Sequence, residues 1–388
     1  MSVAFLSIVI PCLNEAETLA YCIADAQTLL HTEGLAGEVV IADNGSTDNS
    51  IQIAIDGGAR VVNVAEKGYG AALDAGIMHA KGTHIIFADA DASYHFTDAG
   101  PIIERLKNGS SMVVGNRFAG GIEAGAMPFM HRYLGTPVIS YLGRRSFKIK
   151  LHDFNCGMRG LSKNKYIELG MTSTGMEYAT ELIARAAYSG WSIAEVPIPL
   201  YKDKRTRKPH LKTWQDGWRH LKLILLLAPR WIFLFPAMFF LLIGAALGCV
   251  LSLSYVKVSR LTLDIHTLYF CSVFLLVGFQ MLQFYIVAKL YGENLGLYKM
   301  NSLQKKATSF FSFERGLLLG VSLVLTGAAL AVYALLLWKR NDFGPMDPSK
   351  LFRVVLPSGS FITLGMQLIM FSFMLSSIQS MIRKNTIR

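Results

Sequence analysis

Charge is scarce in this sequence. Only 17% of its 388 residues are Asp, Glu, Lys or Arg, against about 25% in ordinary soluble domains. The deficit is uneven. Up to about residue 230 charged and apolar residues alternate, and beyond it long apolar blocks dominate. Acidic residues are outnumbered, leaving a formal net charge of +11, with much of the excess between Tyr201 and Arg230. No nucleic-acid-binding motif accompanies that cluster. It directly precedes the first long apolar run, so attraction to anionic lipid headgroups is the better reading. Cysteine is sparse as well. Cys12, Cys22, Cys156, Cys249 and Cys271 are scattered, with no CxxC and no histidine at metal-ligand spacing. This argues against a disulfide framework and a zinc site, and suits a reducing cytoplasm. The apolar start, residues 5–10, has no basic n-region and runs straight into Asn14 and Glu15, so it reads as a buried strand and not a signal peptide. A G-x-G-x-x-G after that strand is also missing, which excludes the usual dinucleotide fingerprint; Gly68-Tyr69-Gly70 lies elsewhere and lacks the third glycine.

What is present beyond residue 230 is hydrocarbon. Stretches near 231–255, 268–288, 316–338 and 359–381 come close to the roughly 20 residues that cross a bilayer. Gln280 and Gln283 in the second are expected to face other helices. Lys289, Lys299, Lys305, Lys306 and Arg315 follow the second stretch, and Arg383, Lys384 and Arg388 the fourth. Lys202, Lys204, Arg205, Arg207 and Lys208 precede the first, while the opposite loops carry fewer cations. By the positive-inside rule both termini are cytoplasmic. Just before the first stretch, Leu211, Trp214, Trp218, Leu221 and Leu225 share one helical face, with Lys212, Arg219 and Lys222 on others. That pattern suits the headgroup boundary; a helix packed against the soluble half is the alternative.

In the soluble half, residues 5–10, 38–42, 60–64, 84–88 and 112–114 read as strands, mostly buried and parallel. Residues 15–30, 47–55, 69–80 and 98–107 between them read as helices. This βαβ rhythm predicts an open, mostly parallel Rossmann-like sheet with ligand groups at the carboxyl ends of its strands. Polar motifs fall at those ends: Pro11-Cys12-Leu13-Asn14-Glu15, then Asp43-Asn44-Gly45-Ser46-Thr47-Asp48, then Asp89-Ala90-Asp91. Ser46 or Thr47 is also placed to cap the next helix. Carboxylates two apart on an extended segment point the same way and can converge on one Mg²⁺ or Mn²⁺, which takes few carboxylates and completes its shell with phosphate oxygens. Such an ion neutralises charge on a departing diphosphate.

The runs VIPCLNEAETL, VVIADNGSTDNS, EKGYGAALDAGIMHAKGTHIIFADADASYHF and VVGNRF, continuing through LHDFNCGMRGLSK and GMEYATELIARAAYSGWSIAEVPI, resemble family 2 of the inverting glycosyltransferases. The likeness is to the branch of dolichyl-phosphate mannose synthases and bacterial polyprenyl-phosphate glycosyltransferases, over residues 5 to 230. It implies a GT-A α/β domain over 1–200, a basic interfacial segment over 201–230 and an α-helical transmembrane domain of about four helices over 231–388. Carried over, it implies that Pro11, Asn14, Glu15 and Asp43 line the nucleotide pocket, with Lys67 near the base or diphosphate. Asp89 and Asp91 would hold the donor and its metal. Many relatives carry Gln where this chain has Ser93. Arg117 and Arg132 would bind an acceptor phosphate, Asp153 would sit against the reacting sugar, and Glu177 near the acceptor groove. Plainer roles stand beside these: Arg117 as a strand-end ion pair, Asp153 as a turn cap, Glu177 as a helix start.

The expectation is metal-dependent, inverting transfer of a hexose from a nucleotide sugar, of GDP-mannose or UDP-glucose type, to a polyprenyl phosphate at the cytoplasmic face of a membrane, the plasma membrane if the source is bacterial. Competing readings are transfer to another lipid, a processive polysaccharide synthase, or a non-catalytic scaffold. The synthase motif Gln-x-x-Arg-Trp is not matched, since Gln215-Asp216-Gly217-Trp218-Arg219 reverses its last two residues.

Overall fold

Contacts divide the chain into two units, Met1–Ala228 and Pro229–Arg388. The computed structural model describes residues 5–205, 213–294, 300, 302 and 313–386. Arg207, Lys208, Leu211, Lys212, Lys299, Lys305, Lys306 and Arg388 lie outside the described residues, as do the side chains of Trp214, Arg383 and Lys384.

The first unit is built on seven strands: β1 (Leu6–Cys12), β2 (Gly37–Asp43), β3 (Arg60–Asn63), β4 (His84–Phe87), β5 (Met112–Asn116), β6 (Arg159–Ser162) and β7 (Ile193–Pro197). Their order is β3-β2-β1-β4-β6-β5-β7. All neighbours are parallel except β6, which runs against both β4 and β5. Every residue of β1 and β5 is buried. Both faces of a central strand are covered, so it reads as a continuous apolar run instead of an alternation. The crossovers carry α1 (Leu19–Thr32), α2 (Ser50–Asp56), α3 (Tyr69–His79) and α4 (Gly100–Lys107). Later come α5 (Arg117–Gly120), α6 (Thr136–Phe147), α7 (Lys163–Leu169), α8 (Tyr178–Tyr188) and α9 (Thr213–Leu227).

Two helix starts differ from the sequence expectation. α1 begins at Leu19 because the preceding loop is tied to its neighbour. α2 begins at Ser50, whose amide is met by Asp48 Oδ1 at 3.0 Å. Neither Ser46 nor Thr47 caps it, since both are spent on Asn14. α9 packs within the first unit, as the alternative reading has it. His220, Ile224 and Leu227 are buried, with His220 Nδ1 2.8 Å from Thr180 Oγ1 in α8. Trp218 stays 62% exposed.

Among its described residues the second unit holds four helices long and apolar enough to cross a membrane. They are α10 (Phe235–Leu253), entered through a π-turn at Arg230–Leu234, α11 (Ile265–Asn294), α12 (Phe313–Lys339) and α13 (Pro348–Thr386). A hairpin of β8 (Val256–Val258) and β9 (Leu261–Leu263) joins the first two. α12 and α13 meet through glycine. A Cβ on Gly320 would lie 2.8 Å from the Gly365 carbonyl oxygen, and one on Gly365 2.6 Å from that of Gly320. Small residues let backbones approach where no hydrophobic drive separates helix from lipid. Gln283 is buried, as its polarity required. The fourth helix starts well before residue 359. Arg353 within it is neutralised by Asp264 and also donates to the Leu251 carbonyl.

Candidate active site

The loops after β1 and β2 are built as one piece. Asn14 adopts a left-handed backbone (φ 58°), a conformation Asn tolerates better than most residues. There its amide donates to Ser46 Oγ at 2.9 Å and its Oδ1 accepts from the Thr47 amide at 2.7 Å. Asp43 is buried and folds the second loop, accepting from the amides of Gly45 (3.0 Å) and Ser46 (3.1 Å). Asn44, which sequence reading passed over, extends the tie to the third loop. Its Nδ2 donates to the Glu66 carbonyl (2.6 Å) and its Oδ1 accepts from Gly68 N (2.8 Å). Lys67 Nζ donates to the Asn44 carbonyl at 2.6 Å. Pro11 lies opposite Ala42 in the sheet, one residue before β1 ends. Pro11, Asn14, Asp43 and Lys67 thus share one preformed edge of the sheet.

Asp89 and Asp91 follow β4. Burial first, then the negative charge of Asp91, pushes the Asp89 carboxyl up to about 6, against the pull of the Tyr69 hydroxyl and the charges of Arg205 and Arg117. Backbone comes close here: a Cβ on Gly157 would lie 2.5 Å from Asp89 Oδ2. Asp91 Oδ1 accepts from the amide (2.9 Å) and hydroxyl (2.5 Å) of Ser93, which thereby orients the carboxylate. Asp91 Oδ2 faces Arg205 Nη2 at 2.9 Å. Arg205 also meets Glu15 Oε1 at 3.1 Å and Asp203 Oδ2 at 2.6 Å, and its side chain is only 11% exposed. The sequence placed this arginine among cations for the membrane surface. Its charge is spent inside the site instead. Two carboxylates this close, one of them raised by the charge of the other, form a donor set suited to a hard divalent cation. Among the described residues no cluster of three or more His, Cys, Asp or Glu is placed to hold a metal, so such a cation would take its remaining ligands from a substrate.

The third group centres on Asp153, fully buried beside Arg117. Arg117 Nε meets Oδ2 at 2.6 Å and Nη2 meets Oδ1 at 2.7 Å. Both plainer and functional roles therefore involve the same pair. Glu195 of β7, another residue the sequence reading missed, holds the amides of His152 (2.6 Å) and Asp153 (3.0 Å). Arg159, 1% exposed, donates to the carbonyls of Cys156 (3.0 Å), Phe154 (2.8 Å) and Ala179 (2.7 Å) and fixes the segment after Asp153. Burial, helped by the Arg117 charge, lowers His131 below its ordinary imidazole value. Arg132 beside it lies 5.7 Å from the Tyr133 ring centroid, among exposed Phe129, Met130, Tyr133 and Leu134. Glu177 immediately precedes α8. Its Oε2, like Asn155 Oδ1, is buried with no hydrogen-bond partner within the described protein. The loop before it packs on the Lys67 turn, with Ala71 N donating to Thr174 O at 3.1 Å.

Asp89, Asp91, Arg117, Asp153, Glu15 and Arg205 are thus joined by contact or by mutual charge. Among the described residues no bond ties Arg132 or Glu177 to this group. Asn44 lies inside a quoted motif but its ties run to the next loop, while Arg205 and Glu195 are joined to the site only by contacts over long sequence separations.

A mostly parallel sheet with one antiparallel strand, and an Asp-x-Asp at the end of its central strand, defines a GT-A domain, here followed by a transmembrane unit. Residues 7–170 match the model of glycosyl transferase family 2, and residues 286–379 that of the glycosyltransferase family 2 C-terminal transmembrane region. The chain is 31% identical over 378 residues to the low-salt glycan biosynthesis hexosyltransferase Agl6 of Haloferax volcanii, covering 96% of this chain and 89% of that protein. It is 31% identical over 200 residues to a dolichyl-phosphate hexose transferase of the same organism, covering 51% and 83%. With the dolichol-phosphate mannosyltransferase of Pyrococcus furiosus it shares 27% identity over 199 residues, covering 50% and 55%. The chain belongs to glycosyltransferase family 2.

Proposed function

We propose that this glycosyltransferase moves a hexose from a nucleotide sugar, of GDP-mannose or UDP-glucose type, onto a polyprenyl phosphate, with inversion. The observation that carries the reading is Arg132, a cation set among exposed apolar side chains, next in the chain to His131, which the charge of Arg117 reaches. A phosphate that arrives attached to hydrocarbon fits that surface. A soluble acceptor gives no reason for it. The names of the relatives, two of them dolichyl- or dolichol-phosphate transferases, point the same way. On this reading residues 1–200 form the transferase domain, 201–230 an interfacial segment and 231–388 the membrane domain. The excess of cations in the loops on one side supports a cytoplasmic transferase domain and cytoplasmic termini.

The acceptor phosphate is ionised at neutral pH, so its oxygen attacks the anomeric carbon without a strong general base. The bond from that carbon to the donor diphosphate breaks, and the nucleoside diphosphate leaves with the electron pair. Asp43, Glu15, Asn14, Pro11 and Lys67 hold the nucleotide. Asp89 and Asp91 would hold Mg²⁺ or Mn²⁺, which supplies charge neutralisation for the leaving diphosphate. Arg117 and Arg132 bind and orient the acceptor phosphate, and Asp153 keeps the Arg117 fork aimed while facing the sugar. Asn155 Oδ1 and Glu177 Oε2 are acceptors suited to sugar hydroxyl donors. Positioning and fixed charge carry the catalysis.

The test is incubation of the purified protein in lipid with Mg²⁺ or Mn²⁺, undecaprenyl or dolichyl phosphate, and labelled UDP- and GDP-hexoses. A labelled, mild-acid-labile lipid is the expected product. Donor turnover onto a different lipid or a growing glycan, with no transfer to either polyprenyl phosphate, would overturn the acceptor assignment.

A further inference from the structure

Both oxygens of Asp91 are engaged, and the two partners differ in kind. Ser93 holds Oδ1 from two residues away, in the same turn. Arg205 holds Oδ2 from 114 residues away, at 2.9 Å. The same guanidinium reaches Glu15 Oε1 at 3.1 Å and Asp203 at 2.6 Å, so one largely covered cation is shared among three carboxylates. It belongs to a short strap, residues 201–205, that contacts the site. Tyr201 N donates to the Ser93 carbonyl at 2.9 Å, its hydroxyl donates to Asp98 at 3.1 Å, and its ring stacks on His95 at 4.0 Å. Lys202 N donates to Glu123 at 2.7 Å. Lys204 N donates to the Asp91 carbonyl at 3.3 Å, and its ammonium lies 3.9 Å from the Tyr21 ring centroid. The strap therefore touches the Asp-x-Asp loop at three places: the backbone of Ser93, the backbone of Asp91 and the Asp91 carboxylate.

We propose that Arg205 is the protein's own counter-ion for this site, exchanged for the divalent cation when the cation binds. The idea rests on the reading of Asp89 and Asp91 as cation ligands. A second cation cannot share Asp91 Oδ2 with a guanidinium at hydrogen-bond distance without strong like-charge repulsion. Arg205 must then release Asp91 and Glu15, retaining Asp203 within its own loop, and the contacts of Lys204 and Tyr201 loosen with it. Cation binding and strap release are one event, which links metal occupancy to access over the Asp-x-Asp loop. Throughout the exchange the carboxylates are never left together without a cation.

The experiment uses the full chain in lipid nanodiscs, with Mn²⁺ titrated by the electron paramagnetic resonance of the free ion. Arg205→Gln is expected to bind Mn²⁺ about tenfold more tightly than the native protein when no nucleotide is present, because its competitor is gone. Arg205→Lys, which keeps the charge, should remain near the native value. In the native protein, Mn²⁺ should also speed hydrogen–deuterium exchange at the amides of Tyr201 and Lys204. Equal or weaker Mn²⁺ binding by Arg205→Gln, or strap amides unmoved by Mn²⁺ that does bind, overturns the exchange while leaving the metal reading intact. If no protein retains Mn²⁺, with or without UDP or GDP, the metal reading itself falls and the exchange with it. Should Arg205→Gln fail to fold, the amide measurement on the native chain decides alone.

Discussion

Arg117 grips Asp153 with two parallel bonds, Nε to Oδ2 at 2.6 Å and Nη2 to Oδ1 at 2.7 Å, and its own amide adds a third to Oδ2 at 3.1 Å. The carboxylate is fully buried. Removing one partner leaves the other charge unpaired, which costs about 3–5 kcal/mol. Arg117→Ala is therefore expected to lower the melting temperature of the first unit markedly, and Arg117→Lys to rescue little, because an ammonium cannot form the fork. The double variant Arg117→Met with Asp153→Asn should be less destabilised than the sum of the singles. Calorimetry on the four proteins checks this. Additive losses would mean that the two side chains act independently.

Asp91→Asn keeps the shape of the side chain and removes the charge. Sugar transfer, read as nucleoside diphosphate release, should fall by at least about a hundredfold, and added Mn²⁺ should not restore it. Chelation of divalent metal from the native protein should give a comparable loss that added Mn²⁺ reverses. Full activity after exhaustive chelation would remove Asp89 and Asp91 from metal chemistry.

At Gly157 the constraint is steric. A methyl group there would sit 2.5 Å from Asp89 Oδ2 and 3.0 Å from Tyr94 Cε2. Gly157→Ala should displace the Asp89 carboxylate and reduce kcat/KM by about tenfold to a hundredfold. Stability should change far less. An unaltered kcat/KM would mean that the position of Asp89 has slack that the packing does not suggest.

Acid sensitivity is expected at Glu181. Burial alone would raise its carboxyl, but the bonds from Ser173 and Thr172, with Arg185, hold it below its ordinary value. A depressed carboxylate contributes stability that is complete above its unfolded pKa and is lost as pH falls through the folded one. Glu181→Gln should therefore be destabilised at pH 7 by about 2–3 kcal/mol, with the gap to the native protein closing below about pH 4. Melting curves at pH 7 and pH 3.5 test it. A gap of the same size at both pH values would show that the ionised carboxylate contributes nothing.

Much of this architecture was legible in the residues. β1, β2, β4 and β5 announce themselves because a strand buried on both faces carries a short apolar run. The four spans do so because a bilayer demands length. The loops after β1, β2 and β4 stood out through their polar residues. β6 did not. Its Arg159-Gly160-Leu161-Ser162 has no strand-like pattern, since a buried arginine satisfied by three carbonyls looks, in sequence, like a surface residue. Arg205 was hidden for a related reason. In a run of cations each member reads alike, and only the fold separates the one that turns inward, 190 residues from its partner Glu15. Arg117 and Asp153 were both singled out but given separate tasks, because 36 residues of intervening chain conceal that they touch. The start of α13 was misplaced because Arg353 argues against a membrane helix until Asp264 is seen beside it.

Strand β4 is bonded to β1 on one side and to the antiparallel β6 on the other. Most of the side chains assigned here to the nucleotide precede that seam, while the Arg117–Asp153 pair and Arg132 come after it. The two halves can therefore drift at different speeds in evolution. On the proposed roles, descendants of one ancestor could exchange the nucleotide through changes before residue 92 and keep the same lipid, or the reverse. The aspartates at the seam, answerable to both halves, are left the least freedom to change.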